Sequence, residues 1–140
     1  MSLTAQVLRF HERLYEATDG RVGHKMIGVP TLLLRTTGRR SGATRTNGLV
    51  YARDGDDYLV VASKGGAPEA PAWLHNLRAN PDVEIQVGRE RQKGTAREVG
   101  PSDPDYERLW KIVNENNKDR YSAYQEKTKR QIPVVALTPS

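Results

Sequence analysis

From residue 30 to residue 99 the chain sets short apolar runs between turns, several too tight to hold a crossover, and this spacing restricts the fold more than any other feature. Pro30–Thr37, Arg45–Arg53 and Tyr58–Ser63 read as three strands, Val83–Val87 and Gln92–Val99 as a further pair, and Ile132–Leu137 as a sixth. Asp54-Gly55-Asp56-Asp57 and Gly88-Arg89-Glu90 are turn sequences, in which glycine supplies positive φ and aspartate bonds back to its own backbone. Parallel neighbours need a connection of about a dozen residues or more. The first three strands are therefore expected as an antiparallel meander. The expected class is α+β: a single domain over residues 1–140 with a mostly antiparallel sheet curled into a small barrel and helices packed outside it.

Helical spacing accounts for most of the remainder. Leu3, Val7, Phe10 and Leu14 predict an amphipathic helix over residues 3–17, ended by Asp19-Gly20 and followed by a connector at 21–29. Its polar face mixes both charges, which favours packing on the domain over lying on a membrane. Pro71 and Asn80-Pro81 bracket a helix over Ala72–Ala79. Tyr106, Leu109, Trp110 and Val113 give an apolar face to a helix after Pro104, Asn116-Asn117 interrupts it, and a short helix is expected from about Arg120 to Thr128.

With 140 residues the chain can bury one core without staples, and it has no cysteine. Disulfides, thiolate metal sites and cysteine nucleophiles are thereby excluded, and a reducing cytoplasm is the expected setting. No apolar run approaches the roughly 20 residues of a membrane helix, and no signal-peptide pattern opens the chain. The net charge of +5 is local: residues 21–65 carry eight basic and three acidic groups, whereas residues 66–140 carry twelve and eleven. Within that basic region, Thr36–Arg45 places two glycines, four hydroxyls and three arginines in ten residues. Glycine exposes backbone amides and arginine offers paired donors, so the stretch reads either as an anion-binding turn or as a solvated hairpin tip. The junction before Ala72 is a second candidate, because the first amides of a helix lack intrahelical partners.

Other chemistry finds no support. His11, His24 and His75 lack metal-ligand spacing, neither GxxxxGK[ST] nor GxGxxG occurs, and Ser41 and Ser63 lack a nucleophile-elbow setting. What remains is a set of anion donors, Arg39, Arg40, Ser41, Arg45 and Lys64, beside Tyr51, Trp73, Tyr121 and Tyr124, which can flank a planar ring or simply pack the core.

The runs TTGRRSG (36–42), SKGG (63–66), PAWLHNLRANP (71–81) and YSAYQEKTKRQIPVV (121–135) occur in order. Together they resemble the deazaflavin-dependent nitroreductase and quinone reductase family, whose members use coenzyme F420, an 8-hydroxy-5-deazaflavin. The resemblance covers about residues 28–138. It implies a split β-barrel of the FMN-binding type and hydride transfer from the reduced deazaflavin to a quinone or another electron-poor acceptor such as a nitroaromatic, with no metal. The cofactor's anionic tail is then expected along Arg39, Arg40, Ser41 and Arg45, with Thr46, Asn47, Gly48, Leu49 and Val50 continuing the groove. Val61, Ala62, Ser63 and Lys64 would line the phosphate and ring region, and Ala72, Trp73 and Asn76 would contribute from the next helix. Tyr121 would close over ring and substrate with Tyr124 nearby, and Tyr121 or Ser63 would hydrogen-bond the charge developing on the acceptor. The resemblance leaves oligomeric state open and allows at most peripheral membrane contact. A non-catalytic deazaflavin carrier and an FMN-dependent reductase of the same fold are the rivals. A nucleic-acid module is disfavoured, because only one loop is rich in arginine and no aromatic stripe accompanies it.

Overall fold

Tyr51 alone separates two strands that lie at opposite edges of the sheet, and this single residue dictates its closure. The computed structural model describes residues 30–140; the helix expected over 3–17 and the connector at 21–29 lie outside the described residues. Strand β1 (Thr31–Thr37) forms a hairpin with β2 (Thr44–Val50), β3 (Ala52–Asp54) with β4 (Asp57–Val61), and β5 (Asp82–Val87) with β6 (Glu90–Val99), while β7 (Val134–Pro139) closes the chain. Their order is β2-β1-β5-β6-β7-β4-β3, antiparallel throughout. In a flat sheet the six intervals, at about 4.8 Å each, would hold the outer strands about 29 Å apart, whereas one residue spans about 3.5 Å. The sheet has to curl until β2 and β3 meet.

The expected long second strand is thus two strands, and the expected meander is corrected accordingly: the first half pairs with β1 and the second with β4. Three contacts fix the bend. The Tyr51 amide donates to Pro30 O at 3.1 Å, Asn116 Nδ2 donates to Tyr51 O at 2.9 Å, and the Tyr51 ring meets Tyr58 edge-on at 5.3 Å.

Alternation along the strands sorts side chains into two clusters. Val60, Val135 and Leu137 join Leu32, Leu34, Val83 and Ile85 in the barrel interior, where helix α1 (Ala72–Ala79) inserts Trp73, Leu74 and Leu77. Their neighbours Leu59, Val61, Val134 and Ala136 face outward, against Leu109 and Val113 of α2 (Tyr106–Asn116) and Tyr121 of α3 (Arg120–Glu126). Strands β1 and β7 are apolar at consecutive positions because both of their faces are covered. Burying each such aliphatic side chain contributes about 1.5–3 kcal/mol.

The corner between α2 and α3 is made by Lys118 and Asp119, both left-handed at φ 56° and 60°. Asn114 ties the two helices across it: its Nδ2 donates to Trp110 O, and its Oδ1 accepts from Ser122 N at 2.9 Å. This places Tyr121 against the outer cluster.

Candidate functional site

The hairpin tip between β1 and β2 is a braced turn. Gly38 N donates to Ala43 O at 2.7 Å, Gly42 N donates to Gly38 O at 2.8 Å, and Gly42 sits at φ 73°, which glycine adopts without steric cost. Ser41 Oγ accepts from Ala43 N, so this hydroxyl supports the turn and keeps its proton for another acceptor. From α1, Asn76 Oδ1 accepts from Arg39 N at 3.1 Å, and Asn76 Nδ2 donates to Thr36 Oγ1 at 3.2 Å. Asn76 is buried, with both ends of its amide engaged, and it pins the tip to the helix.

No described residue neutralises the guanidinium groups at this tip. Arg35, Arg78, Arg97 and Arg108 each pair with a carboxylate, whereas Arg39, Arg40 and Arg45 make no ion pair with any described residue. All three are exposed. Three cations within seven residues, without ion pairs among the described residues, create a field that favours an anion.

A second anion feature follows β4. Ser63 is right-handed (φ −82°, ψ −37°), and Lys64, Gly65 and Gly66 are left-handed at φ 45°, 65° and 84°. The hydrogen bonds closing this turn run from Gly66 N to Ser63 O and from Ala67 N to Lys64 O, which leaves the amides of Ser63, Lys64 and Gly65 outside them. A right-to-left-handed succession turns consecutive N–H groups toward one concavity, an arrangement that binds anions. Ser63 makes no capping hydrogen bond through its hydroxyl. Lys64 Nζ lies 3.1 Å from Glu69 Oε1, and hydrogen bonding to Lys64 is the main cause that holds the Glu69 carboxyl below its ordinary range.

Behind the turn stands Arg130, which the sequence had not singled out. Its guanidinium donates to Ala62 O at 3.1 Å, Ser63 O at 2.8 Å and Ala67 O at 3.0 Å, spanning the turn from both ends. Helix α3 presses on the same turn: a Cβ at Gly66 would lie 2.6 Å from Tyr124 O.

The β3–β4 register, extended past Tyr51, would set Val50 opposite Val61 and Asn47 opposite Lys64. No ladder forms there, although β2 and β4 approach each other. The barrel is split at that line, with half-buried Thr46–Val50 on one side and Val61–Lys64 on the other. Ala72 is exposed at the start of α1, where Leu74 N is the first amide to find a partner, Pro71 O.

Other expected residues stand behind this surface. Trp73 belongs to the interior cluster, and Ala62 is fully buried, its N–H donated to Pro133 O and its carbonyl held by Arg130. Tyr121 is buried against α2 and meets the half-buried Tyr124 edge-on at 6.2 Å. Burial pushes the Tyr121 phenol well above its ordinary range, opposed in part by a hydrogen bond with Asn117, which keeps it protonated.

A deazaflavin carrying phosphate and carboxylates suits the chemistry of this donor set: guanidiniums without ion pairs among the described residues, a turn of unpaired amides, and a tyrosine-bearing helix against that turn. Residues 7–139 match the F420H(2)-dependent quinone reductase family. The F420H(2)-dependent quinone reductase Rv1261c of Mycobacterium tuberculosis is 60% identical over 134 residues, covering 95% of this chain and 90% of the relative. Among solved structures, an F420-H2 dependent reductase superposes with a TM-score of 0.69 at 39% identity, over 77% of this chain and 93% of the other. HutZ, a heme storage protein of Vibrio cholerae, shares the architecture at 16% identity and a TM-score of 0.61, over 100% of this chain and 92% of its own. By this match and its split-barrel fold, the chain belongs to the F420H(2)-dependent quinone reductase family.

Proposed function

We propose that the split between β2 and β4 holds reduced coenzyme F420 and that the chain reduces a quinone there. What supports this is an arginine tip without ion pairs to described residues and a turn of unpaired amides, carried by β2 and β4 where the two strands approach without forming a ladder. Arg39, Arg40 and Arg45 would take the carboxylates of the tail, and Ser41 would donate its remaining proton. The amides of Ser63, Lys64 and Gly65 would hold phosphate, with Ala72 at the helix start beside them. Thr46, Asn47, Gly48, Leu49, Val50 and Val61 would form the walls, Trp73 and Ala62 would support them from within, and Asn76 would fix the arginine tip.

The bound deazaflavin supplies a hydride for the acceptor; the protein orients the reactants and stabilises charge. Reduction of a quinone leaves negative charge on its oxygen. A neutral Tyr121 phenol or the Ser63 hydroxyl donates a hydrogen bond to that oxygen, and Tyr124 flanks the acceptor. Burial lowers the local dielectric and strengthens such a bond. A quinone-like molecule is the small-molecule partner in this reading, nucleic acid is not a partner, and contact with the inner face of the membrane is at most peripheral.

Equilibrium titration of the purified protein with oxidised deazaflavin, FMN and a random oligonucleotide tests the site. Saturable binding of the deazaflavin alone is expected. Preferential binding of FMN would support the flavin rival, and preferential binding of the oligonucleotide would overturn the proposal.

A further inference from the structure

We infer that Arg130 is a positioning residue for the anion-binding turn: it shapes the ligand site without touching the ligand. The inference rests on the cofactor-site reading above and adds a residue to it. Three carbonyls converge on one guanidinium: Ala62 O and Ser63 O before the left-handed run, and Ala67 O after it. A planar fork with five N–H donors suits this task, whereas a lysine ammonium offers a single point of attachment.

The geometry explains why a clamp is needed here. Lys64 adopts φ 45°, a conformation costly for a residue with a Cβ, and such backbone persists only where its surroundings hold it. Holding the Ala62 and Ser63 carbonyls from behind leaves the Ser63 and Lys64 amides, which share those peptide units, aimed away from Arg130, while the Ala67 bond to Lys64 O does the same for the Gly65 amide. A cation at those carbonyls also draws electron density from the amides and strengthens them as donors. Arg130 itself is set by its own segment: Gln125 Nε2 donates to Arg130 O at 2.7 Å, and Gln125 Oε1 accepts from Ile132 N at 2.9 Å. Tyr124 O packs on Gly66 from the same helix, which sets the turn against the element that carries both tyrosines.

The test compares wild type, Arg130→Lys and Arg130→Ala by fluorescence titration with oxidised deazaflavin, by thermal unfolding, and by steady-state kinetics with the reduced cofactor and menadione. Arg130→Lys should bind the cofactor roughly tenfold more weakly and Arg130→Ala more weakly still, with KM for the cofactor raised and KM for menadione unchanged. Guanidinium at millimolar concentration should restore part of the binding to Arg130→Ala and none to Arg130→Lys. If Arg130→Ala does not fold, Arg130→Lys decides. In wild type, cofactor binding should slow amide hydrogen exchange at Ser63, Lys64 and Gly65, which needs no variant. Unchanged affinity in folded Arg130→Lys overturns the inference and leaves the cofactor reading standing, whereas exchange at those amides indifferent to cofactor overturns the inference together with the phosphate assignment at this turn. Failure of wild type to bind any deazaflavin overturns both.

Discussion

Replacing Asn76 with alanine should both destabilise the domain and loosen the arginine tip. The side chain makes two hydrogen bonds, accepting from Arg39 N at 3.1 Å and donating to Thr36 Oγ1 at 3.2 Å. Alanine removes both and leaves the Thr36 hydroxyl, only 2% exposed, without this partner. Losing the Arg39 bond costs about 0.5–1.5 kcal/mol and stranding the buried Thr36 hydroxyl about 1–3, so the combined cost is about 1.5–4.5 kcal/mol. That is a large part of the roughly 5–15 kcal/mol that holds a domain together. At roughly 3–5 °C per kcal/mol for a chain of this size, Tm should fall by roughly 5–22 °C. Thermal unfolding by circular dichroism measures this, and titration with deazaflavin on the same samples should show weaker binding. An alanine variant whose Tm stays within about 2 °C of wild type, with affinity lost nonetheless, would refute the reasoning and make Asn76 a direct ligand contact.

Changing Arg39 and Arg40 together to alanine should weaken deazaflavin binding roughly tenfold at low salt and less near 0.15 M, where the screening length is about 8 Å, with Tm unchanged; titration at two ionic strengths checks it. Glu69→Gln releases Lys64 from its ion pair and should tighten binding of the anionic cofactor roughly two- to fivefold at low salt, read by the same titration. Gly66→Ala should cost about 2 kcal/mol or more, because φ 84° disfavours a Cβ and that atom would meet Tyr124 O at 2.6 Å; urea unfolding measures the loss. Burial raises the Tyr121 phenol above its ordinary value, so its contribution to stability is complete below about pH 10 and is lost as pH rises further, by at most about 1.4 kcal/mol per unit. Unfolding free energy should therefore decline above pH 10 more steeply in wild type than in Tyr121→Phe.

Elements bounded by strong local signals were legible in the sequence. Helix α1 runs from Ala72 to Ala79 between Pro71 and Asn80-Pro81, as those breakers imply, and β1 begins one residue after Pro30. The bend at Tyr51 was not legible, because Leu49, Val50 and Tyr51 continue an apolar run and the forces that break it come from Pro30, Tyr58 and Asn116, distant in sequence. Gly65-Gly66 announced a turn, but the left-handed Lys64 depends on tertiary support that no propensity reports. Arg130 looked like any charged residue of a helix-terminal segment. Its partners are backbone carbonyls, which leave no mark on sequence, and the same is true of Asn76 holding the Arg39 amide. Trp73 read equally well as a ring contact or as core, and the structure buries it with Leu32 and Leu34.

The most direct measurement of the central claim is anaerobic stopped-flow absorbance of wild-type protein loaded with reduced deazaflavin and mixed with menadione. The account predicts return of the oxidised deazaflavin spectrum at a rate that saturates with menadione, and that slows in Tyr121→Phe combined with Ser63→Ala at unchanged cofactor affinity. A complex that binds the reduced cofactor tightly but stays reduced with menadione and with nitroaromatic acceptors would contradict it and identify a carrier.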